Sequence, residues 1–582
     1  MARRRAWKQN GCRWQVAPDW DGAAENARLL KTSPLIAQIL HNRGLDEIEH
    51  IRRFLNPKMT DLHRPELLGG MDVASERLAS AVRDGEKICI YGDYDVDGIT
   101  AVAILYRCLA LHGADVDFYV PHRLEEGYGV NVEAIEKIAA DGVKLLVTVD
   151  CGISAVEQLR RAGELGMDAI VTDHHAPDPS LPEVLAVVHP ALAGNYPNAD
   201  LSGAGVAFKL AWHLARRLCG SERVDEPTRN FLLEATTLAA LGTIADVVPL
   251  LDENRVLVVY GLKGLAATEH PGLRALITSA CLDCERLDTF DIGFRLAPRL
   301  NACGRMGHAR LAVEMLTRAT PDRCRRIAEY LEKQNTERQK IERRITELAV
   351  EMVRSGAFKG KAIVLASSDW HAGVVGIVAS RLVDRFGKPA VLIALEGATG
   401  RGSARSVEGF NMRDALSACS EHLLSFGGHA MAGGLRLSAE AVGKFTADFV
   451  RYAGENIAED AILPALRIDA EVMLAELPFA VVERLERLGP FGRGNPRPLV
   501  AVRSVRIMTP PQRIGRNGGT VSFIVGQEQP QSTRMRCVGF GMGKLADKLA
   551  GVNTVDIVGE PVLNHFNGRS SVEMHLRDVV WE

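Results

Sequence analysis

Aromatic residues make up only 5% of this 582-residue chain, so a surface that relies on stacked rings has little to draw on. No excess of charge is present either: 70 Lys and Arg stand against 73 Asp and Glu, a net of -3. A global positive field that would draw in a polyanion is excluded, and any nucleic-acid binding must come from local patches. Long hydrophobic runs are missing as well. The most apolar long segment, Phe231 to Leu250, is broken by Glu234 and Asp246, which predicts a buried helix and no membrane span. The basic N-terminus, MARRRAWKQNGCRW, leads into no apolar stretch, so it reads as a solvated tail and not as a secretory signal or anchor. The 11 cysteines are scattered, with a single CxxC at Cys281 to Cys284 and no second CxxC or CxxH to complete a zinc site. Free thiols in a reducing, cytoplasmic setting are expected. Pro, Ser and Gln tracts are absent, and 47% hydrophobic with 25% charged residues is the composition of a folded, water-soluble protein.

What is present is a division into segments of different period. The length exceeds one hydrophobic core and predicts three or four domains. Residues 1–84 hold the basic tail and a helical segment. From 85 to 320, apolar β-branched runs such as KICIYGD, DVDFYVPHR, KLLVTVDCG, DAIVTDHH and LAVVHP alternate with helical patterns, the signature of an α/β domain with a parallel sheet. Residues 321–357 start at a Pro and stay rich in charge and helix formers, predicting a long exposed helix that connects two lobes. A smaller α/β domain follows at 358–464. From 465 to 582 the strands are short and alternating, and Asn567-Gly568 suits a tight hairpin. A small β-barrel is expected there, either an OB-fold or another five-stranded barrel.

The chemistry concentrates at strand ends. YGDYDVDGIT sets Asp93, Asp95 and Asp97 at alternate positions directly after Ile88-Cys89-Ile90. Carboxylates this close repel unless a cation neutralises them, and divalent cations that prefer oxygen ligands do so. For this motif alone a solvated Asp-rich turn is the better reading. Its companions reverse that. Asp150 ends KLLVTVD, Asp173-His174-His175 ends DAIVT, and Asp246 sits in LGTIADVVPL, each after an apolar run that could not bury it cheaply unpaired. In open α/β sheets such groups converge outside the carboxyl ends of the strands. Carboxylates mixed with imidazole suit Mn²⁺ or Mg²⁺ better than thiolate-preferring metals.

In this order, DYDVDG, VTVDCGIS, VTDHH and GTIADVVPL resemble the four motifs of the DHH phosphoesterase family. PHRLEEGYG, LSGAGVAFKL, PRLNACGR, WHAGVVGIVASRL, GSARS, GGHAMAGG and PFGRGNP extend the resemblance, toward members that degrade single-stranded DNA, over nearly all of the chain after about residue 40. The resemblance implies a parallel-sheet DHH domain, a smaller α/β DHH-associated substrate-binding domain and an OB-like nucleic-acid-binding barrel. It implies one or two Mn²⁺ or Mg²⁺ ions held by Asp93, Asp95, Asp97, Asp150, His174 and Asp246, with Asp150 between them. Asp95, Asp150, His174, His175 and Asp246 would serve catalysis, His175 facing the substrate phosphate. The implied reaction is two-metal hydrolysis from the 5′ end that releases 5′-mononucleotides, in DNA repair and recombination.

For the strand itself, Ser403, Arg405 and Ser406 of GSARS suit a terminal phosphate. Gly427, Gly428 and His429 offer either a phosphate cradle or an ordinary turn. Arg123 and Tyr128 of PHRLEEGYG are a cation and a ring, the ring serving either stacking or packing, and Arg299, Asn301 and Arg305 of PRLNACGR are further candidates. With so few aromatics, backbone electrostatics should outweigh stacking and binding should weaken steeply with salt. Two departures from the family pattern stand out. Ala404 occupies the centre of GSARS where Gly is common, and His189, either a phosphate contact or a structural residue, replaces Asn before Pro190. A single-strand-binding protein and a helicase are the partners implied, acting with a monomer. The alternatives are a DHH phosphodiesterase for short oligonucleotides or cyclic dinucleotides, and a non-catalytic single-strand binder.

Overall fold

The five β-branched runs between residues 88 and 188 become five parallel strands. Their order across the sheet is Val116–Tyr119, Ile88–Gly92, Leu145–Val149, Asp168–Thr172 and Ala186–Val188. Every residue of the second and third of these is buried, as expected of a parallel sheet covered on both faces. Alternation divides the side chains: Ile88 and Ile90 enter one core with the helices Val96–Leu111, Gly203–Leu218 and Glu226–Ala245, while Cys89 and Tyr91 enter another with Val132–Ala140 and Val156–Glu164. From Ile88–Gly92 the chain runs outward to the edge strand Val116–Tyr119, then returns to pair on the opposite side through Leu145–Val149. The carboxyl ends flanking that reversal are where such sheets bind ligands. Asp93 and Asp150 directly follow the paired residues Gly92 and Val149.

The computed structural model describes residues 13–123, 126–127, 129–192, 194–306, 308–355, 360–457, 465–528, 532–566 and 568–581. They form two compact units, one of Lys58–Ile462 and one of Met1–Pro57 with Leu463–Glu582. Residues 58–84 pack with the parallel sheet: Met71, Ala74 and Leu78 of the helix Met71–Asp84 lie in its core. The long helix runs Pro321–Arg354, capped by the Thr320 side chain. It is less exposed than its charge suggests, because apolar residues at three- and four-residue spacing form a stripe. Cys324, Ile327 and Leu331 of that stripe join the first core, and Ile345, Ala349 and Val350 join the core of the smaller sheet. In that sheet Ile363–Ser367 and Ala390–Glu396 are parallel, and Thr399–Arg405, Ala432–Ser438 and Ser425–Gly428 continue it antiparallel.

In the other unit the strands Val500–Ile507, Thr554–Phe566, Arg569–Val580, Thr533–Gly539 and Thr520–Gln527 pair in that order. The last returns to pair with the first through Gly526 and Val525, closing a five-stranded OB-like barrel. The strands Thr554–Phe566 and Arg569–Val580 pair out to Phe566 and Arg569. Of the turn between them Gly568 has φ 72°, and Asn567 lies outside the described residues. Arg13–Val16 pairs in parallel with Ala465–Ile468, and the buried Trp14 donates from Nε1 to Asp578, 2.7 Å. Among the described residues no helix is long and apolar enough to cross a membrane, and the ten described cysteines, Cys281 and Cys284 included, are free thiols.

Candidate metal centre

Three strand tips, one helix start and one helix end deliver acidic and histidine side chains to one place. Asp93 leaves the strand Ile88–Gly92. Asp95 caps the helix Val96–Leu111 by accepting from the Gly98 N–H at 3.1 Å, and Asp97 sits in that helix's first turn. Asp150 follows Leu145–Val149 with φ 59°, His174 follows Asp168–Thr172, and Asp246 caps the C-terminus of Glu226–Ala245. Asp93, Asp95 and Asp150 bring one ligand atom each within 4.8 Å of one another, as do Asp97, His174 and Asp246, and Asp150, His174 and His175. Asp150 and His174 join these groups into a continuous cluster.

Asp93, Asp97 and Asp150 are no more than 3% exposed. The Nε2 of His174 lies 3.1 Å from Asp150 Oδ1 and 3.7 Å from oxygens of both Asp97 and Asp246. Nε2 of His174, Oδ1 of Asp150 and Oδ1 of Asp93 are buried without a hydrogen bond. An unmade hydrogen bond in a buried site costs about 1–3 kcal/mol, more for a charged group. Burial pushes the carboxyls of Asp93 and Asp150 well above the usual range, and neighbouring carboxylates push them further. Asp97 rises to about 7 for the same two causes. Burial, and next the charge of His175, hold His174 down at about 4, so its ring is neutral, although a hydrogen bond with the Leu201 backbone acts in the opposite direction. A lone pair aimed at three carboxylates is repulsive unless a cation lies between them, and oxygen-rich donors with one imidazole suit Mn²⁺ or Mg²⁺.

Asp97 differs from Asp93 and Asp150 in being held. Its Oδ2 accepts from the Gly203 N–H at 2.6 Å and its Oδ1 from the Ala204 N–H at 2.9 Å, so the start of the helix Gly203–Leu218 grips both oxygens and favours the ionised form. Glycine is required at two close approaches. A Cβ on Gly203 would lie 2.4 Å from Asp150 Oδ1, and one on Gly242 would lie 2.3 Å from Asp97 Oδ1. Sequence reasoning missed both positions, although for Gly203 the segment LSGAGVAFKL, with Ser202 capping the helix through the Gly205 N–H, carried the signal of small residues at a helix start.

His175 is tied through Nδ1 to Asp173 at 2.7 Å. Burial opposes its charge, but the bond and charge of Asp173 outweigh burial and raise it to about 9. His189 takes the structural reading: its Nε2 donates to the His175 carbonyl at 2.8 Å and its Nδ1 accepts from the Ala191 N–H at 3.1 Å.

A second cluster is cationic. Arg123 lies over the ring of Tyr94, 4.8 Å from its centroid, between the acidic positions 93 and 95. Arg305 donates to the Gly373 carbonyl at 3.1 Å, and Arg405 donates to Ser403 Oγ at 3.0 Å and the Ala404 carbonyl at 2.8 Å. Burial, then the charges of Arg123, Arg338 and Arg405, lowers Arg305 to about 9, and burial with Arg123 lowers Arg405. Arg305 and Arg405 bond carbonyls and a hydroxyl, and neither pairs with a carboxylate among the described residues. Guanidiniums gathered this way fit an anionic ligand. The Ala404 methyl is fully buried in the core of the smaller sheet, and strand alternation sets Ser403 and Arg405 on the opposite face, so it does not obstruct their approach.

Other candidates have partners or turns of their own within the fold. Arg299 pairs with Glu332 of the long helix at 2.5 Å and donates to the Arg295 carbonyl. The Asn301 side chain accepts from the Val96 N–H at 3.1 Å, which fixes the turn carrying Asp95. Ser406 donates to the Phe410 carbonyl at 2.5 Å within its own loop. Gly428, at φ 141°, makes the tight turn before His429, whose N–H donates to the Ala432 carbonyl at 2.8 Å. Gly427 and His429 are exposed at that turn. Tyr128 lies outside the described residues.

This arrangement is that of the DHH class of phosphoesterases: the family model described as DHH family, N-terminal domain, matches residues 87–243, and the DHHA1 domain matches 359–455. The RecJ OB domain matches 468–578. The single-stranded-DNA-specific exonuclease RecJ of Bacillus subtilis is 40% identical over 570 residues, covering 97% of this chain and 70% of that protein. Crystal structures of RecJ from Thermus thermophilus match with Mn²⁺ at TM-score 0.83 and 31% identity, over 99% of this chain and 80% of that one, and with Mg²⁺ at 0.78 and 30%, over 98% and 79%. The chain belongs to the RecJ family of single-stranded-DNA-specific exonucleases.

Proposed function

We propose that this protein is a metal-dependent exonuclease that degrades single-stranded DNA from the 5′ end and releases 5′-mononucleotides. The observation that carries the reading is the pairing of a buried acid and histidine cluster, with unsatisfied Asp93, Asp150 and His174 atoms, and a guanidinium cluster of Arg123, Arg305 and Arg405. Asp93, Asp95, Asp97, Asp150, His174 and Asp246 would hold one or two Mn²⁺ or Mg²⁺ ions, which would give the orphaned atoms of Asp93, Asp150 and His174 a partner. A divalent cation supplies acidified water and charge stabilisation of the departing oxygen. Asp97, fixed by two N–H groups, sets one ligand position. His175, kept protonated by Asp173, faces the substrate phosphate. Arg405, Arg305 and Arg123 take the terminal 5′-phosphate and so fix which phosphodiester meets the acidic cluster. Hydrolysis leaves a new 5′-phosphate on the shortened strand, which can re-enter the same pocket.

The domain scheme that accompanies this reading is a DHH domain at 85–320, a connecting helix at 321–357, a substrate-binding domain at 358–464 and an OB-like domain at 465–582, after an N-terminal segment. The protein works as a cytoplasmic monomer in repair and recombination, with a helicase opening duplex and a single-strand-binding protein covering the product. Digestion of strands labelled separately at each end tests the polarity: with Mn²⁺, a 5′ label is released first as mononucleotide while a 3′ label stays on progressively shorter strands. The reverse order defeats the proposal.

Arg405→Gln removes one cation from the phosphate cluster. KM for a 5′-phosphorylated strand is expected to rise about 10- to 100-fold, and the preference over a 5′-hydroxyl strand to shrink, with Mn²⁺ affinity unchanged. Steady-state kinetics on the two strands, with a metal titration, check this.

The raised acids also set a pH dependence. Because Asp97 has a higher pKa in the fold than its ordinary 3.8, the stability it contributes is full below that value and is lost as pH rises through about 7. Asp93 and Asp150 act in the same direction. A cation replaces the missing protons, so the increase in Tm on adding Mn²⁺ is expected to be larger at pH 8 than at pH 5. Calorimetry at the two pH values decides it, and an equal increase contradicts the assignment.

A further inference from the structure

Asn254 is fully buried, and its hydrogen bonds go to backbone and to Asn198, away from the grouped acids. Its Nδ2 donates to the Asp200 carbonyl at 2.6 Å and to the Pro249 carbonyl at 3.0 Å. Its Oδ1 accepts from Asn198 Nδ2 at 3.3 Å, which fixes the orientation of the amide. The two carbonyls belong to different loops. Asp200 leads through Leu201 and Ser202 into Gly203 and Ala204, whose N–H groups hold Asp97. Pro249 follows Asp246 by way of Val247 and Val248.

Taking the metal-centre reading above as its basis, we infer that Asn254 is a positioning residue for that centre: its amide joins the loop that anchors Asp97 to the segment that carries Asp246, and so sets the separation of the two ligands. Two carbonyl oxygens held on one side-chain nitrogen would repel each other without it. A planar amide meets the need, since it presents two donors from one atom and an acceptor for Asn198. The neighbouring Glu253 serves a different purpose. It is fully buried against Lys209 at 2.5 Å and accepts from Tyr196 Oη at 2.5 Å, which ties the bodies of the helices Asp252–Ala266 and Gly203–Leu218 together. Asn254 acts at their leading loops, where the ligands are.

The test uses the full chain. Free Mn²⁺ is followed by its electron paramagnetic resonance signal during titration of wild type, Asn254→Asp and Asn254→Ser. Metal-free Tm, and affinity for a 5′-phosphorylated single strand in EDTA, are measured beside it. The dissociation constant for Mn²⁺ is expected to rise about 10- to 100-fold, the scale of losing a group that orients a ligand, while strand affinity in EDTA stays as in wild type. Glu234→Gln is the structural comparison. It opens the Arg107–Glu234 pair on the helix that ends at Asp246, and is expected to lower Tm without moving Mn²⁺ affinity. An Asn254→Ser protein that loses Tm but binds Mn²⁺ like wild type overturns the inference. If neither Asn254 variant folds, Asn198→Ser, which frees the amide to turn, is read in the same titration: a rise of about threefold or more supports the inference, and no change overturns it. Wild type that binds no Mn²⁺ fails the underlying reading itself, an outcome separate from a variant that binds as well as wild type.

Discussion

Asp150→Asn is expected to cut the rate of single-strand hydrolysis by about 10³-fold or more while leaving a folded protein. Asp150 belongs to two of the ligand groups, with Asp93 and Asp95 in one and with His174 and His175 in the other, so losing its charge weakens the hold on a cation throughout the cluster. Losing one well-aimed electrostatic partner of a reacting phosphate already costs about 10² to 10³ in rate, and here the partner also holds the metal. The fold should not suffer. Burial and four neighbouring carboxylates make the ionised side chain costly in the metal-free protein, and the amide introduced by the substitution can donate to the unsatisfied Nε2 of His174, 3.1 Å away. Tm without metal should therefore rise, by about 2 °C or more, while the stabilisation by Mn²⁺ disappears. Initial rates on a 3′-labelled strand and calorimetry with and without Mn²⁺ read both effects. Retained activity with a normal Mn²⁺ response would remove Asp150 from the centre of the site.

How much of this was legible in the sequence follows from what a residue type reveals alone. A carboxylate at the end of an apolar run advertises its own cost, so Asp93, Asp97, Asp150 and Asp246 could be picked out; strand order explains why Asp93 and Asp150 meet, whereas Asp97 and Asp246 arrive from a helix start and a helix end. Residues whose work lies in a hydrogen bond gave no such sign. Asn301 and Arg299 read as strand contacts because they sit among basic residues. The structure adds that Asn301 bonds the Val96 N–H and Arg299 pairs with Glu332, partners 205 and 33 residues away that no local pattern names. Ser406 points back into its own loop. Gly203 and Gly242 act by having no side chain, which only the distance to Asp150 and Asp97 reveals. The fold shows the same division. Local periodicity gave the parallel sheet, the long helix and the barrel strands. The pairing of Arg13–Val16 with Ala465–Ile468 joins ends of the chain with nothing in either segment to announce it.

Gly203→Ala isolates that last kind of information. The backbone at Gly203 is not in the left-handed region, and alanine is a better helix former than glycine, so conformation alone predicts a tolerated or stabilising change. The contacts predict the opposite. The added Cβ would lie 2.4 Å from Asp150 Oδ1 and 2.6 Å from Asp150 Cβ, and the Gly203 N–H is itself bonded to Asp97 at 2.6 Å. Relief requires that Asp150 swing away or that the helix start lift off Asp97, and either motion displaces a ligand. Misplacement of a reacting geometry by about 1 Å costs on the order of 10²-fold, so activity should fall by about that factor and Mn²⁺ affinity with it. Gly205→Ala, on the same helix, separates this from a general disturbance, because its Cβ would meet only the flexible end of Leu201 at 3.0 Å and otherwise lie in ordinary contact. That variant should keep wild-type Mn²⁺ affinity and activity within about threefold. Equal losses in the two variants would mean that the helix as a whole is disturbed. A loss confined to Gly203→Ala means that the space left by its missing side chain belongs to the metal centre.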